Sequence, residues 1–360
     1  MSTTHPTPST SATACANGPR PSEPERAAAA TLLRMICGIH ISRCVYVVAE
    51  LGIADLLATG PVGVTELAQS TGTHERSLYR VLRLLAALGV FDEHEGRSFS
   101  LTAIGERLRR DVPISMRSWA TMLDAVGVLR SFEHILHSVR TGAPGFDTAF
   151  GTGLFEFLAE HSENAAAFDA AMAKRTAAFA PSVADGYDFS DIRSIVDVGG
   201  GNGTLLVEIL RRHSHLHGVL FETPSVAARA DAILDAVELA DRCQLQAGDF
   251  FDWVPPGADC YLLANVLHDW DDARATRILR NCRQAIGRPG RVLIVERLIP
   301  EDGGDPVPTL LSDINMLVLS GGGQERNNAE YRELLTAAGL KAGRVLPVAF
   351  PYGVIEGIAT

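Results

Sequence analysis

The sequence predicts an α/β fold: a doubly wound, Rossmann-like sheet that carries at its N-terminus a smaller helical domain of winged-helix type. Three observations predict it. Ile195 to Val198 is an apolar, β-branched run that enters the glycines 199, 200, 201 and 203 and continues into the helix-like Leu205 to Arg212, which reads as strand, tight turn and helix. Later runs close on acids at the spacing of successive strand ends, first Gly218 to Glu222 and then Gly248-Asp249-Phe250-Phe251. Upstream, two short helical patterns around a turn at Gly72 precede a hairpin pattern around Gly96, the order of a winged helix.

Composition narrows the class. The chain has 360 residues, 46% hydrophobic and 21% charged, as in an ordinary soluble globular protein of two or three domains. Its formal net charge of −11 works against nucleic acid or an anionic membrane as main partner, so neither is expected. Glu50 and Asp55 interrupt the best candidate for a bilayer-spanning run, and no basic-then-apolar leader is visible. Cys15, Cys37, Cys44, Cys243, Cys260 and Cys282 form no C-x-x-C pair and read as reduced, mostly buried thiols. The expected location is cytoplasmic.

Residues 1–25 are rich in Ser, Thr, Pro and Ala; with little to bury against their ordering entropy, they are expected to be a disordered tail. Residues 26–110 form the winged-helix-like unit. Its first stretch repeats Leu32, Leu33, Ile36, Ile39, Val47, Val48, Leu51, Leu56 and Leu57 at helical spacing with few polar residues on any face, which a homodimer explains economically. Arg76, Arg80 and Arg83 fall on the second helix of the motif. That motif reads as DNA binding or as a scaffold without that role, and the acidic chain favours the scaffold. Residues 111–187 are helical around a loop marked by Gly142, Pro144, Gly145, Gly151 and Gly153. They are expected to form a linker and an apolar lid, with Trp119, Met122, Phe155, Phe168 and Met172, joined by Asn315 and Met316 from further on, lining a flat ligand. Residues 188–360 carry the sheet.

The glycines at 199, 201 and 203 depart from the G-x-G-x-x-G spacing of dinucleotide sites, and Asp197 inside the strand would repel a pyrophosphate. The same acid suits an ammonium and a sulfonium, so S-adenosylmethionine is the cofactor that fits. Glu222 follows the glycines by roughly 20 residues at a strand end, placed for the ribose hydroxyls. Asp249 is placed for the adenine amino group and Phe250 for packing on its ring. A fourth strand, Ala258 to Ala264, exits into Asn265-Val266-Leu267-His268-Asp269-Trp270, and a fifth ends on Glu296. His268 and Glu296 thus lie at carboxyl strand ends, where ligands of such sheets collect. No metal is expected. The run His213, His215, His217 has no accompanying Cys or acid motif, and Asp271 or Asp272 reads as the cap or first turn of the next helix.

Val196 to Gly203, then Gly248 to Phe251, Leu267 to Asp272, Ile294 to Glu296 and Gly322 to Asn327 together resemble the class I S-adenosylmethionine-dependent O-methyltransferases of the caffeic acid, hydroxyindole and bacterial natural-product type. The resemblance covers nearly the whole chain after the tail. It implies a methyltransferase sheet behind a dimerisation domain, an aromatic small-molecule acceptor, a place in secondary metabolism, and S-adenosylhomocysteine as product. It implies His268 as general base, with Glu296 and Glu325 as the acids that hold it. It also implies Gly199, Glu222, Asp249 and Phe250 as cofactor contacts beside Asp197 and Gly201, with Trp270 packing near the adenine. One departure stands out: Ala264 and Asn265 occupy positions where many relatives carry Lys, Arg or Ser, and Asn265 is expected to replace a polar cofactor contact.

The chemistry is consistent with that assignment. A sulfonium is already an activated methyl donor, so the enzyme positions the partners and makes the acceptor nucleophilic. A phenol titrates near about 10, and histidine is the usual base for it at neutral pH. A carboxylate on the far imidazole nitrogen fixes the tautomer. The expected reaction is methylation of a phenolic hydroxyl. The alternatives are N- or C-methylation or non-methylating chemistry on the same fold, a cofactor-sensing DNA-binding regulator, and a non-enzymatic dimeric scaffold.

Overall fold

The computed structural model describes residues 22–235, 239, 241–287, 290–301 and 303–359; Cys15 and the expected tail up to residue 21 lie outside them. Helix α1 (Glu23–Ile36) begins three residues before the boundary read from the sequence. Ser22 caps it: its hydroxyl accepts from the Glu25 N–H while the Glu25 carboxylate accepts from the Ser22 N–H, a reciprocal capping box. Then follow α2 (Gly38–Glu50), α3 (Ile53–Leu56), β1 (Val62–Gly63), α4 (Val64–Thr71), α5 (Glu75–Ala87), β2 (Phe91–His94) and β3 (Ser98–Leu101). The strands pair in the order β1-β3-β2, which completes the winged helix. Leu78, Leu82 and Leu85 recur every three or four residues along α5 and bury one stripe against Val48, Ile53, Leu67, Phe91 and Phe99. Arg76, Arg80 and Arg83 face solvent. Leu32, Leu33, Met35, Ile36 and Ile39 are exposed on α1 and α2.

A helical layer follows: α6 (Arg117–Ala125), α7 (Val128–Phe132), α8 (Ile135–Thr141), α9 (Gly145–Phe150), α10 (Leu154–Glu160) and the long α11 (Ser162–Gly186). Met122, Val126, Phe146, Leu154, Leu158, Ala165 and Ala171 form its core. Helix α11 packs on α6 at one end and against the sheet domain at the other, so it couples lid to sheet.

The sheet domain runs β4 (Ser194–Val198), α12 (Thr204–Arg212), β5 (His217–Glu222), α13 (Pro224–Asp235), β6 (Cys243–Ala247), β7 (Cys260–Ala264), α14 (Asp272–Ala285), β8 (Gly290–Arg297), α15 (Val307–Leu319), α16 (Asn328–Ala337), β9 (Lys341–Pro347) and β10 (Tyr352–Ala359). Its order is β6-β5-β4-β7-β8-β10-β9. Strands β4 to β8 are parallel, while β10 runs antiparallel to both neighbours. Ile195, Leu262 and Leu293 face one layer with Phe179, Leu206 and Ile209. Val196, Leu263 and Ile294 face the other with Ala275, Ile278 and Leu335. Burial on both faces is why these strands read as continuous apolar runs. The connections reverse direction between β4 and β7, and the crevice outside that switch point is where such sheets bind ligands.

Gly200 illustrates how tightly the turn above β4 is drawn. A Cβ there would strike the Asp197 carboxylate and come within 2.6 Å of a Leu220 methyl. Gly200→Ala is expected to destabilise the protein by about 1–3 kcal/mol through overpacking. The check is a lowered urea midpoint at unchanged slope; an unmoved midpoint would show that the turn has room to yield.

Candidate active site

The cofactor half is built at the ends of β4, β5 and β6. Gly199 and Gly201 hold φ of +70° and +62°, a backbone that glycine adopts at no steric cost. A Cβ at Gly199 would stand 3.0 Å from Val266 Cγ2 and 3.4 Å from Phe250 Cε1, so the turn lies directly against the exits of β6 and β7. Below it, Asp197 is 1% exposed, and neither carboxylate oxygen has a hydrogen-bond partner among the described residues. Burial, reinforced by the charge of Glu222, pushes this acid up to about 7. A buried carboxylate without donors is relieved by a cation set beside it, which is what an ammonium or sulfonium provides. At the end of β5, Glu222 Oε1 accepts from the Gly201 N–H and Oε2 from the Thr223 N–H, both at 2.8 Å. Burial lifts it to about 6 against the opposing pull of those N–H groups. Asp249 is exposed beyond β6, and its Oδ1 accepts from the Phe251 N–H at 2.8 Å. The rings of Phe250, Phe251 and Trp270 meet edge-on, with centroids 4.7–6.1 Å apart. The donor set thus fits S-adenosylmethionine: acids for its cations and ribose, aromatic surface for its adenine.

The second half lies at the ends of β7 and β8. Asn265 adopts a left-handed backbone (φ +53°), which asparagine tolerates better than most residues, and this bends the chain out of β7 across the end of β8. There Glu296, fully buried, gathers the backbone N–H groups of Val266, Leu267 and His268 on Oε1 at 3.0, 2.9 and 3.4 Å. One carboxylate thereby satisfies the start of a single-turn helix, Leu267–Asp269. The imidazole of His268 is 2% exposed. Its Nδ1 lies 3.4 Å from Glu296 Oε2 and 3.3 Å from Glu325 Oε1, while Nε2 lies 3.6 Å from Asp269 Oδ1. These are ionic contacts rather than aligned hydrogen bonds. Burial disfavours the imidazolium, but Glu296, Asp269 and Glu325 outweigh it and lift His268 to about 9. Burial pushes Glu296 up to about 7. Burial also works to raise Glu325, but the adjacent His268 prevails and holds it below the usual carboxylate range.

Two residues that the sequence did not single out complete this half. Arg326 is 0% exposed. It donates to the Leu267 carbonyl at 3.0 Å, the Trp270 carbonyl at 2.8 Å and Asp272 Oδ1 at 2.7 Å. It therefore clasps the turn that carries His268 from the side opposite Glu296. Tyr352 donates its hydroxyl to Asn265 Oδ1 at 3.1 Å, so this amide has a protein partner beside its expected place among the cofactor contacts. Asp271 caps α14, as expected, by accepting from the Arg274 N–H at 2.8 Å.

Of the expected lining residues, Trp119, Met122, Phe168 and Met172 meet in the lid core, with Met122 buried. Phe155 stands apart from them and stacks on Trp270, centroids 5.9 Å apart at 26°. Asn315 and Met316 lie on α15 beside Asp313, whose Oδ1 accepts from the Glu325 N–H at 2.9 Å. His213 and His215 place Nε2 on the carbonyls of Ala184 and Phe189, partners that account for them structurally. His268, Glu296 and Glu325 are close enough to hold an ion, but their distances are equally those of a charged imidazole held by two acids.

Comparison with known proteins shows the family. A model of the O-methyltransferase domain matches residues 132–341, and one of the O-methyltransferase dimerisation domain matches residues 33–111. A phenazine O-methyltransferase of Lysobacter antibioticus is 43% identical over 90% of this chain and 94% of its own length. An 8-amino-8-demethylriboflavin N,N-dimethyltransferase of Streptomyces davaonensis is 37% identical over 94% of this chain and 98% of its own. An O-methyltransferase from neocarzinostatin biosynthesis, solved with S-adenosylmethionine and 2-hydroxy-5-methyl naphthoic acid, superposes with a TM-score of 0.77 at 36% identity, covering 89% of this chain and 96% of that one. The chain belongs to the O-methyltransferase family, with the family's dimerisation domain ahead of its O-methyltransferase domain.

Proposed function

We propose that this S-adenosylmethionine-dependent O-methyltransferase methylates a phenolic hydroxyl of an aromatic, natural-product-like small molecule, with His268 as general base and Glu296 and Glu325 as the acids that hold it. The observation that carries the reading is the buried imidazole whose Nδ1 edge faces two carboxylates. A proton on Nδ1 is stabilised there, which leaves the Nε2 lone pair to take the phenolic proton. Once neutral, a histidine with a raised pKa is the stronger base. When bound, the cofactor supplies an electrophilic methyl on a sulfonium whose positive charge also favours the neutral imidazole.

Asp197, Gly199, Gly201, Glu222, Asp249, Phe250, Asn265 and Trp270 form the cofactor site in this reading. The acceptor lies against the lid residues Trp119, Met122, Phe155, Phe168 and Met172 and against Asn315 and Met316. The exposed apolar stripe on α1 and α2 is covered by a second copy of the chain through the dimerisation domain. Among the described residues, no single helix is long and apolar enough to cross a membrane. N-methylation is a second reading, favoured by the dimethyltransferase relative; an amine acceptor already offers a lone pair and has less need of the His268 assembly.

Titration of S-adenosylmethionine and S-adenosylhomocysteine into wild type and His268→Ala should show both proteins binding. Against a panel of phenols, the variant should lose about 10²- to 10⁴-fold in kcat. Equal transfer by the variant would remove His268 as base and bring forward an acceptor that needs none. The pH profile gives a second check. With the imidazole lifted to about 9, kcat/KM should rise with pH up to that region, since only the neutral form accepts a proton. Glu325→Gln removes one of the charges that lift it, so the limb should move to lower pH. A limb that stays in place or moves upward would contradict the assignment of Glu325.

A further inference from the structure

Glu325 is 3% exposed, and neither of its carboxylate oxygens has an aligned hydrogen-bond partner among the described residues. A buried carboxylate in that state keeps its direction only if neighbouring groups hold it. Arg326, the next residue, is turned elsewhere: its guanidinium is bonded to Leu267, Trp270 and Asp272. Arg297, the last residue of β8, stands on the other side. Just beyond it, Leu298 pairs in parallel with Arg326, and the Ile299 N–H donates to the Arg326 carbonyl at 3.2 Å. Arg297 and Glu325 are therefore neighbours one residue earlier, on the same face of that pairing. Helix α15 closes the third side. Asp313 Oδ1 accepts from the Glu325 N–H at 2.9 Å. The residue before it, Ser312, is 4% exposed and accepts from Arg297 Nη1 at 2.7 Å. With its oxygen engaged by that donor, the Ser312 hydroxyl has a hydrogen to give, and Ser312 and the charge of Arg297 both favour the ionised Glu325.

We propose that Arg297, acting through Ser312, is the positioning residue that holds the Glu325 carboxylate against His268 Nδ1. The inference rests on the general-base reading and adds to it what fixes the second acid. Glu296 is held by backbone N–H groups, Glu325 by a side-chain relay from β8 through α15. Charged or titratable groups reach this pair from every element around it. Glu296 from β8, Asp269 from the His268 turn and Glu325 face the imidazole. Glu325 in turn has Arg297 of β8, Asp313 of α15 and Tyr331 of α16 around it. The Arg297 guanidinium also lies 5.5 Å from the ring centroid of Tyr352, a contact that packing alone accounts for. Ser312→Ala separates the two roles, because it breaks the relay and leaves that ring contact in place.

The test is the titration midpoint of His268, read by nitrogen-resolved NMR in the full-length protein, with and without Glu325→Gln, in wild type, Arg297→Gln, Arg297→Lys and Ser312→Ala. In wild type, Glu325→Gln should lower the midpoint by about 1–3 pH units, the effect of losing one adjacent carboxylate. In Arg297→Gln and in Ser312→Ala the same change should lower it by less than about half as much, because the carboxylate no longer faces the imidazole. Arg297→Lys keeps a cationic donor and should recover part of the difference. An equal step with and without Arg297, or a step lost in Arg297→Gln but kept in Ser312→Ala, overturns the proposal and leaves Glu325 paired with His268. Loss of S-adenosylhomocysteine binding in Arg297→Gln that Ser312→Ala does not share assigns the arginine to the cofactor and overturns it as well. No step even in wild type removes Glu325 as a holder of the base, so failure of that reading is distinct from failure of this one.

Discussion

The contact on which the site depends is that of the Glu296 carboxylate with the backbone of residues 266–268. It does two things with one side chain. Its first oxygen satisfies N–H groups that would otherwise be buried without partners, each costing about 1–3 kcal/mol, and so fixes the turn. Its second oxygen faces the imidazole that this turn presents. Arg326 then closes the turn from the other side through the carbonyls of Leu267 and Trp270. The Gln324 N–H adds a bond to the His268 carbonyl at 2.8 Å. Gly323 lies so close that a Cβ would stand 2.7 Å from that carbonyl oxygen. Segments far apart in sequence, the exits of β7 and β8 and the loop before α16, are locked at one imidazole.

Charge is distributed on the same logic across the two halves of the crevice. Asp197 and Glu222 are buried acids lifted by desolvation, a setting stabilised by a cationic ligand. His268 is surrounded by acids that lift it as well. In both places the protein holds negative charge that is poorly solvated, and a sulfonium bound as proposed beside them lowers that cost. In the proposed site, cofactor binding and readiness of the base are therefore coupled electrostatically.

The sequence showed the parts of the fold with local signatures: the glycine turn, the acid-terminated strand ends, the winged helix with its turns at Gly72 and Gly96. His268, Glu296 and Glu325 were legible through motifs, and the structure brings their side chains together across the strand exits. Their roles came from resemblance, not from spacing. What stayed illegible depends on pairing over long separations. Nothing local distinguishes Arg326, wholly enclosed by the His268 turn, from a solvated arginine in a polar loop. Asn265 finds Tyr352 from the last strand. Phe155 stands apart from the lid cluster and stacks on Trp270, a residue more than a hundred positions away in sequence. Helix α1 begins three residues ahead of the expected unit boundary at 26 because the Ser22–Glu25 capping box lies in a stretch whose composition reads as tail.

The most direct test of the account is a nitrogen-resolved NMR titration of His268 in the protein free of ligand. With two carboxylates at Nδ1, the neutral tautomer should keep its proton on Nδ1, and the pKa should lie well above about 6.5, the ordinary value for histidine, near 9. An imidazole that titrates at or below the ordinary value, or that carries its neutral-form proton on Nε2, would contradict the claim that Glu296 and Glu325 hold His268 as a base.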